Sequence, residues 1–170
     1  MNKMKQIRIE KVTINLGTGT DQEKLKKAMK LVQNLTGVVP VKTHSKKRIP
    51  SWNLRPGLPI GCKTTLRGEK AIGLLKRLLM AKENLLSENS FGEEGNVSFG
   101  IPEYIDIPEL NYDPEIGIMG LQVCVTLERP GYRVKRRKNS KRKISKSHLI
   151  TKQESVDFFK ENFGVGVEES

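Results

Sequence analysis

The sequence predicts an α+β domain: a largely antiparallel sheet with helices packed on one face, a long projecting loop, a basic C-terminal segment and a short terminal helix. Three observations carry this reading. Val12, Ile14 and Leu16 alternate with Thr13 and Asn15, and Leu121, Val123, Val125 and Leu127 alternate as strictly, the period of half-buried strands. Leu25, Ala28, Met29, Val32 and Leu35 recur at helical spacing, and Ile72, Leu75, Leu78 and Leu79 repeat the pattern. Turn-forming residues separate the strand-like and helical stretches without internal repeats.

The elements follow in order. Gly17-Thr18-Gly19 closes the first strand, Thr20 and Glu23 stand at capping-box spacing, and Gly37 ends the first helix. Val39, Val41 and Thr43 alternate around Pro40, which suggests an edge strand. Lys46, Lys47 and Arg48 then open a stretch holding Pro50, Pro56 and Pro59 and no acid, so neither helix nor paired central strand fits between Ile49 and Ile60. The stretch reads as a projecting loop whose far side returns as a strand, Gly61 to Arg67. A loop of this length inside a compact domain points to function or disorder. A second helix opens at Gly68-Glu69 and fades near Leu86. Residues 87–117, rich in Gly, Pro, Asn and acid, read as an irregular excursion with one or two short strands. Thr151 and Glu154 form a second capping box before Val156, Phe159 and Phe163. The division expected is residues 1–128 as an α+β domain with its loop at 46–60, and 129–170 as a basic segment and helix packed on it.

Charge narrows the function. The 170 residues carry 31 Lys plus Arg against 19 Asp plus Glu, a net charge of +12, which attracts polyanions. That charge is segregated: nine acids and no base lie from Glu83 to Glu115, and eleven bases and no acid from Arg129 to Lys152. One face should meet a polyanion while another turns away; a solvated, disordered tail is the alternative for the basic run. Strand alternation gathers Thr13, Asn15, Lys63, Thr65, Arg67, Gln122 and Thr126 on the open face, with no strand carboxylate until Glu128. Such a surface can hold phosphates and ribose hydroxyls, and without exposed aromatics it suits folded RNA better than stacked single-stranded bases. An ordinary solvated sheet face is the competing reading. Trp52, alone in its cationic loop, could be exposed or core.

Catalysis finds little support. His44 and His148 stand alone among cations and read as surface or RNA-contacting residues, and Glu93-Glu94 lies in a Gly/Asn-rich loop. The sequence suggests no catalytic residue, metal ligand or cofactor. Gly17-Thr18-Gly19 lacks a third glycine, and no acid occupies 38–47 where a ribose partner would stand, so a nucleotide-dependent enzyme rests on that tripeptide alone. Cys62 and Cys124 form no metal-spaced motif and read as small strand residues in a reducing compartment. The N-terminus carries no apolar signal region and no stretch has the length of a membrane span, so a soluble intracellular protein without membrane partners is expected.

Four segments carry a specific resemblance: IEKVTINLG (residues 9–17), IGCKTTLRGEKA (60–71), SFGIPEYIDIPELNYDPEIGIMG (98–120) and VCVTLERPGYRVKRRK (123–138). Together they resemble the large-subunit ribosomal protein L-five family, in its archaeal and eukaryotic branch, from Met4 to about Val165. The resemblance implies a cytoplasmic, ribosome-bound, non-enzymatic protein of the central protuberance that binds 5S rRNA and attaches it to large-subunit rRNA, among neighbouring ribosomal proteins. It implies 5S contacts at Asn15 and Thr65; beside them, Thr13, Thr43, Lys46, Lys47, Arg48, Lys63 and Arg67 are expected to complete the 5S-binding surface from their own chemistry. The resemblance also implies a loop reaching P-site tRNA, here Ser51, Trp52, Asn53, Leu54, Arg55, Pro56, Gly57 and Leu58, and a bridge to the small subunit. Further rRNA contacts fall on Arg133, Lys135, Arg136, Arg137, Lys138, Lys141, Arg142, Lys143 and Lys146, a run expected to order on binding. Two positions depart from the family pattern: Val38 stands where Gln is common, and His44 where an Arg is common. Outside this resemblance, the rival reading is a basic RNA- or anionic-surface-binding module.

Overall fold

The computed structural model describes residues 2–168. Five antiparallel strands form one sheet in the order β2-β3-β1-β6-β5: β1 Arg8–Gly17, β2 Val41–His44, β3 Pro59–Leu66, β5 Asn96–Ile101 and β6 Leu121–Glu128. Helices α1 (Gln22–Thr36) and α2 (Gly68–Met80) cover one face, and α3 (Lys152–Phe163) completes the core. Two short strands, β4 (Leu85–Ser87) and β7 (Gly166–Glu168), pair in parallel and tie the segment after α3 to the end of α2.

The alternation of β1 becomes packing directly. Val12, Ile14 and Leu16 are fully buried under the helices, as are Leu121, Val123, Val125 and Leu127 from β6. Cys62, Thr64 and Leu66 face the same core from β3. Cys124 is exposed on the other face and a strand lies between β3 and β6, so the two thiols cannot pair. Gly61 is fixed by packing: a Cβ there would lie 2.4 Å from the Leu16 carbonyl oxygen.

Local chemistry corrects several boundaries. The cap of α1 is Asp21, not Thr20, because its carboxylate accepts from both Glu23 N and Lys24 N. Gly37 ends that helix at φ 67°, where a side chain would be strained. In α2 the buried stripe is Ala71, Leu74, Leu75, Leu78 and Leu79, and Ile72 is exposed, a rotation of the expected phase. The helix stops at Met80, and Leu86 belongs to β4. Val39 and Val41 are both exposed, so their alternation does not mark a core face; β2 is nevertheless an edge strand. The return strand β3 begins at Pro59, two residues before Gly61.

Segregation in sequence becomes segregation by face. Lys30 of α1 ion-pairs with Asp113 at 3.0 Å, and Arg77 of α2 with Glu109 at 2.8 Å, so the acidic excursion lies against the helical layer. The opposite face of the sheet is left to the polar strand residues.

Candidate nucleic-acid interface

The strand register arranges the open face in rows. Asn15 sits opposite Gln122 on one side and Lys63 on the other; Gly100 extends this row beyond Gln122, and Val41 beyond Lys63. Ser98, Cys124, Thr13 and Thr65 form the next row. Within these rows Asn15 Nδ2 donates to Gln122 Oε1 at 3.3 Å, and the Thr13 and Thr65 hydroxyls lie 3.4 Å apart. Lys63 and Thr65 are exposed, and Thr13 and Asn15 half-buried, so the face offers amide, hydroxyl and ammonium groups to solvent.

The end of the face near Arg8 carries a charge cluster that alternation did not reveal. The pairing slips between Ile9 and Lys11, leaving Glu10 as an extra, unpaired residue. Its carboxylate meets Arg67 Nη1 at 3.1 Å and also Arg136. Glu128 accepts from Arg8 Nε at 2.9 Å and from Arg136 Nη2. The glutamate side chains are 6% and 8% exposed, whereas those of Arg8, Arg67 and Arg136 are 63%, 57% and 41% exposed. Three arginines thus share two sheltered carboxylates, and the cluster stays net positive. The open face therefore holds one more strand acid than the sequence indicated, and Arg67 and Arg136 sit in ion pairs. No periodicity signals a one-residue bulge.

Burial pushes the Glu128 carboxyl up, but the Arg8 and Arg136 guanidiniums draw it down further, and the balance holds it below the ordinary glutamate value. A folded-state pKa below the unfolded one stabilises the fold above the ordinary glutamate range, and that stabilisation is lost as pH falls through the folded value. Melting temperature should therefore drop on acidification, and Glu128→Gln should make the drop shallower. An identical acid limb in the variant would contradict this role for Glu128.

The projecting loop is a hairpin in two tiers. At its base Ser45 N donates to Leu58 O at 2.8 Å and Gly57 N to Ser45 O at 2.9 Å. Further out, Ile49 and Leu54 exchange backbone hydrogen bonds of 3.0 Å around a 3-10 turn at Pro50–Trp52. Pro50 suits the first turn position because its missing N–H would be unpaired there. Trp52 is 68% exposed at the tip, with Ser51, Asn53, Arg55 and Pro56 also exposed. Lys46, Lys47 and Arg48 are exposed along the stem.

The basic run is tied at both ends. The Tyr132 hydroxyl donates to His148 O at 3.0 Å and accepts from Ile150 N at 3.1 Å. Arg129 Nη1 donates to Leu149 O at 3.1 Å, and Arg129 Nη2 pairs with Glu154 at 2.6 Å. Between these anchors Arg137, Lys138, Lys141, Arg142, Lys143 and Lys146 are exposed, and Arg136 pins the start of the loop to the sheet cluster. His148 proves a packing residue, its Nε2 2.9 Å from Pro130 O and its ring edge-on to Tyr132. His44 stays exposed on the edge strand.

Two family models together span nearly the whole chain. One, described as "Ribosomal protein L5", matches residues 2–55, and the other, for the C-terminus of the same ribosomal family, matches residues 59–158. The chain is 52% identical over 165 residues to the large ribosomal subunit protein uL5 of Nanoarchaeum equitans, covering 96% of this chain and 97% of that one. It is 49% identical to that of Sulfolobus acidocaldarius over 98% of this chain and 93% of the relative. With the protein of Methanosphaera stadtmanae it shares 46% identity over 99% of this chain and 100% of the relative.

Proposed function

The chain belongs to the ribosomal protein L5 family, and from that premise we propose that it binds 5S rRNA across its open sheet face and attaches it in the central protuberance. Like the family, it is a non-enzymatic structural constituent of the large ribosomal subunit, within the ribosome and its rRNA. The observation that carries the 5S reading is the row of amides, hydroxyls and Lys63 on a face whose carboxylates are sheltered by arginines, flanked by two cationic loops.

Each part takes a role from its chemistry. Asn15 and Thr65 hydrogen-bond the RNA backbone, while Lys46, Lys47, Arg48 and Lys63 neutralise adjacent phosphates. Arg67 presents the unpaired side of its guanidinium, held in place by Glu10. The hairpin tip, with Trp52 exposed, reaches P-site tRNA. The loop from Arg133 to Lys146 contacts neighbouring large-subunit rRNA, so residues 1–128 supply the sheet and hairpin and 129–170 the basic arm and its supporting helix. The acid-rich excursion, where Tyr112 and Ile118 are exposed among carboxylates, suits a basic protein surface rather than RNA and is our candidate for the small-subunit bridge.

Asn15→Ala combined with Thr65→Ala tests the face directly. Both side chains lie outside the core, so the double variant should fold normally and bind 5S rRNA at least about ten-fold more weakly, the loss of one to two hydrogen bonds to RNA. Wild-type affinity in a folded double variant would remove the sheet face from the interface.

A further inference from the structure

Two glycines on the open face have no explanation inside the protein. Gly17 ends β1 and Gly100 lies within β5, and neither has a positive φ. A Cβ built on either would meet no atom within 4 Å. Glycine in a strand interior is a weaker choice than alanine, because it loses more backbone freedom and packs nothing. Gly61 and Gly120 differ, since an added Cβ there would collide with backbone at 2.4 Å and 2.8 Å. Neither a positive φ nor a close approach among the described residues calls for glycine at Gly17 or Gly100.

Both line the same shallow hollow of about 630 Å³, with Asn15, Gln122 and Lys82 also on its wall. Asn15 and Gln122 spend one hydrogen bond on each other, leaving a second Asn15 donor and both remaining acceptors and donors of the pair. Among the described residues Lys82 forms no ion pair, so its ammonium is available at the rim. No aromatic side chain borders the hollow, so nothing there stacks on a base.

We propose that this hollow is the seat where the sugar–phosphate backbone of RNA makes its closest approach to the sheet. Gly17 and Gly100 form a floor without side chains, Asn15 and Gln122 meet the ribose hydroxyls, and Lys82 meets the phosphate. The seat rests on the 5S reading and deepens it, because it fixes where on the face the strand lies.

The test is Gly17→Ala with Gly100→Ala, beside Gly73→Ala in α2, which also meets no atom within 4 Å but lies outside the hollow. Melting temperature and affinity for 5S rRNA are read together, with excess tRNA as competitor. The double variant should melt at the same temperature or higher, yet bind roughly ten-fold or more weakly, as the RNA backbone is pushed out of hydrogen-bonding reach. Gly73→Ala should bind normally. A stable double variant with wild-type affinity overturns the seat and leaves the 5S reading standing if Asn15→Ala with Thr65→Ala still weakens binding. Failure of the unaltered chain to prefer 5S rRNA over tRNA overturns that reading, and the seat with it.

Discussion

Phe159→Ala should destabilise the protein by about 3–5 kcal/mol, the cost of removing a fully buried phenylalanine and leaving a cavity. Phe159 is 0% exposed and packs edge-on to Phe91 and at a tilt to Phe163, with ring centroids 5.8 Å and 5.5 Å apart. Its size matters because α3 does more than end the chain. Glu154, at the start of α3, holds Arg129, and Ile150 just before it holds Tyr132, so a loosened helix frees the base of the basic loop. For a chain of this length the melting temperature should fall by about 6–20 °C. Phe163→Ala, at a half-buried site, should cost clearly less. A loss under about 1 kcal/mol for Phe159→Ala would mean that α3 is an appendage and not a wall of the core.

The second large effect is on binding. Replacing Lys46, Lys47, Arg48 and Lys63 together by glutamine should lower the slope of log affinity against log salt by about 3 to 4 units, near 0.9 for each phosphate no longer neutralised. At about 0.1 M salt that amounts to roughly a thousand-fold weaker binding to 5S rRNA. These four cations are exposed and, among the described residues, unpaired, so the loss can be read without a folding defect. Arg67 and Arg136 would be poor choices for the same experiment. Each is clasped by a sheltered carboxylate, and its removal mixes stability with affinity. An unchanged salt slope in the quadruple variant would place the phosphates elsewhere.

Much of this architecture was legible because two strands and two helices bury one side only. Val12, Ile14 and Leu16 announced both the strand and the face, and Asn15 and Thr65 followed by parity alone. The projecting loop was legible from its prolines, yet its tiers were not, since the Ile49–Leu54 pairing depends on a turn closing across residues that show no period. Glu10 was hidden for a physical reason: a bulge inserts one residue and breaks parity locally, so alternation misreads where its side chain goes. The helix α2 came out rotated because Ala71 is small and Ile72 large, and hydrophobicity favoured the residue that the fold exposes. In β4 and β7 three residues each are too few to display any periodicity. The anchors of the basic run, Arg129 to Glu154 and Tyr132 to His148, join residues 16 or more apart in sequence and leave no local trace.

The most direct measurement is binding of the full chain to purified 5S rRNA in moderate salt, with an equal excess of tRNA as competitor. Tight binding that survives the competitor is the predicted result, because a shaped face of amides, hydroxyls and placed cations discriminates among folded RNAs. Binding abolished by tRNA would contradict it and reduce the open face to a general attractor of polyanions.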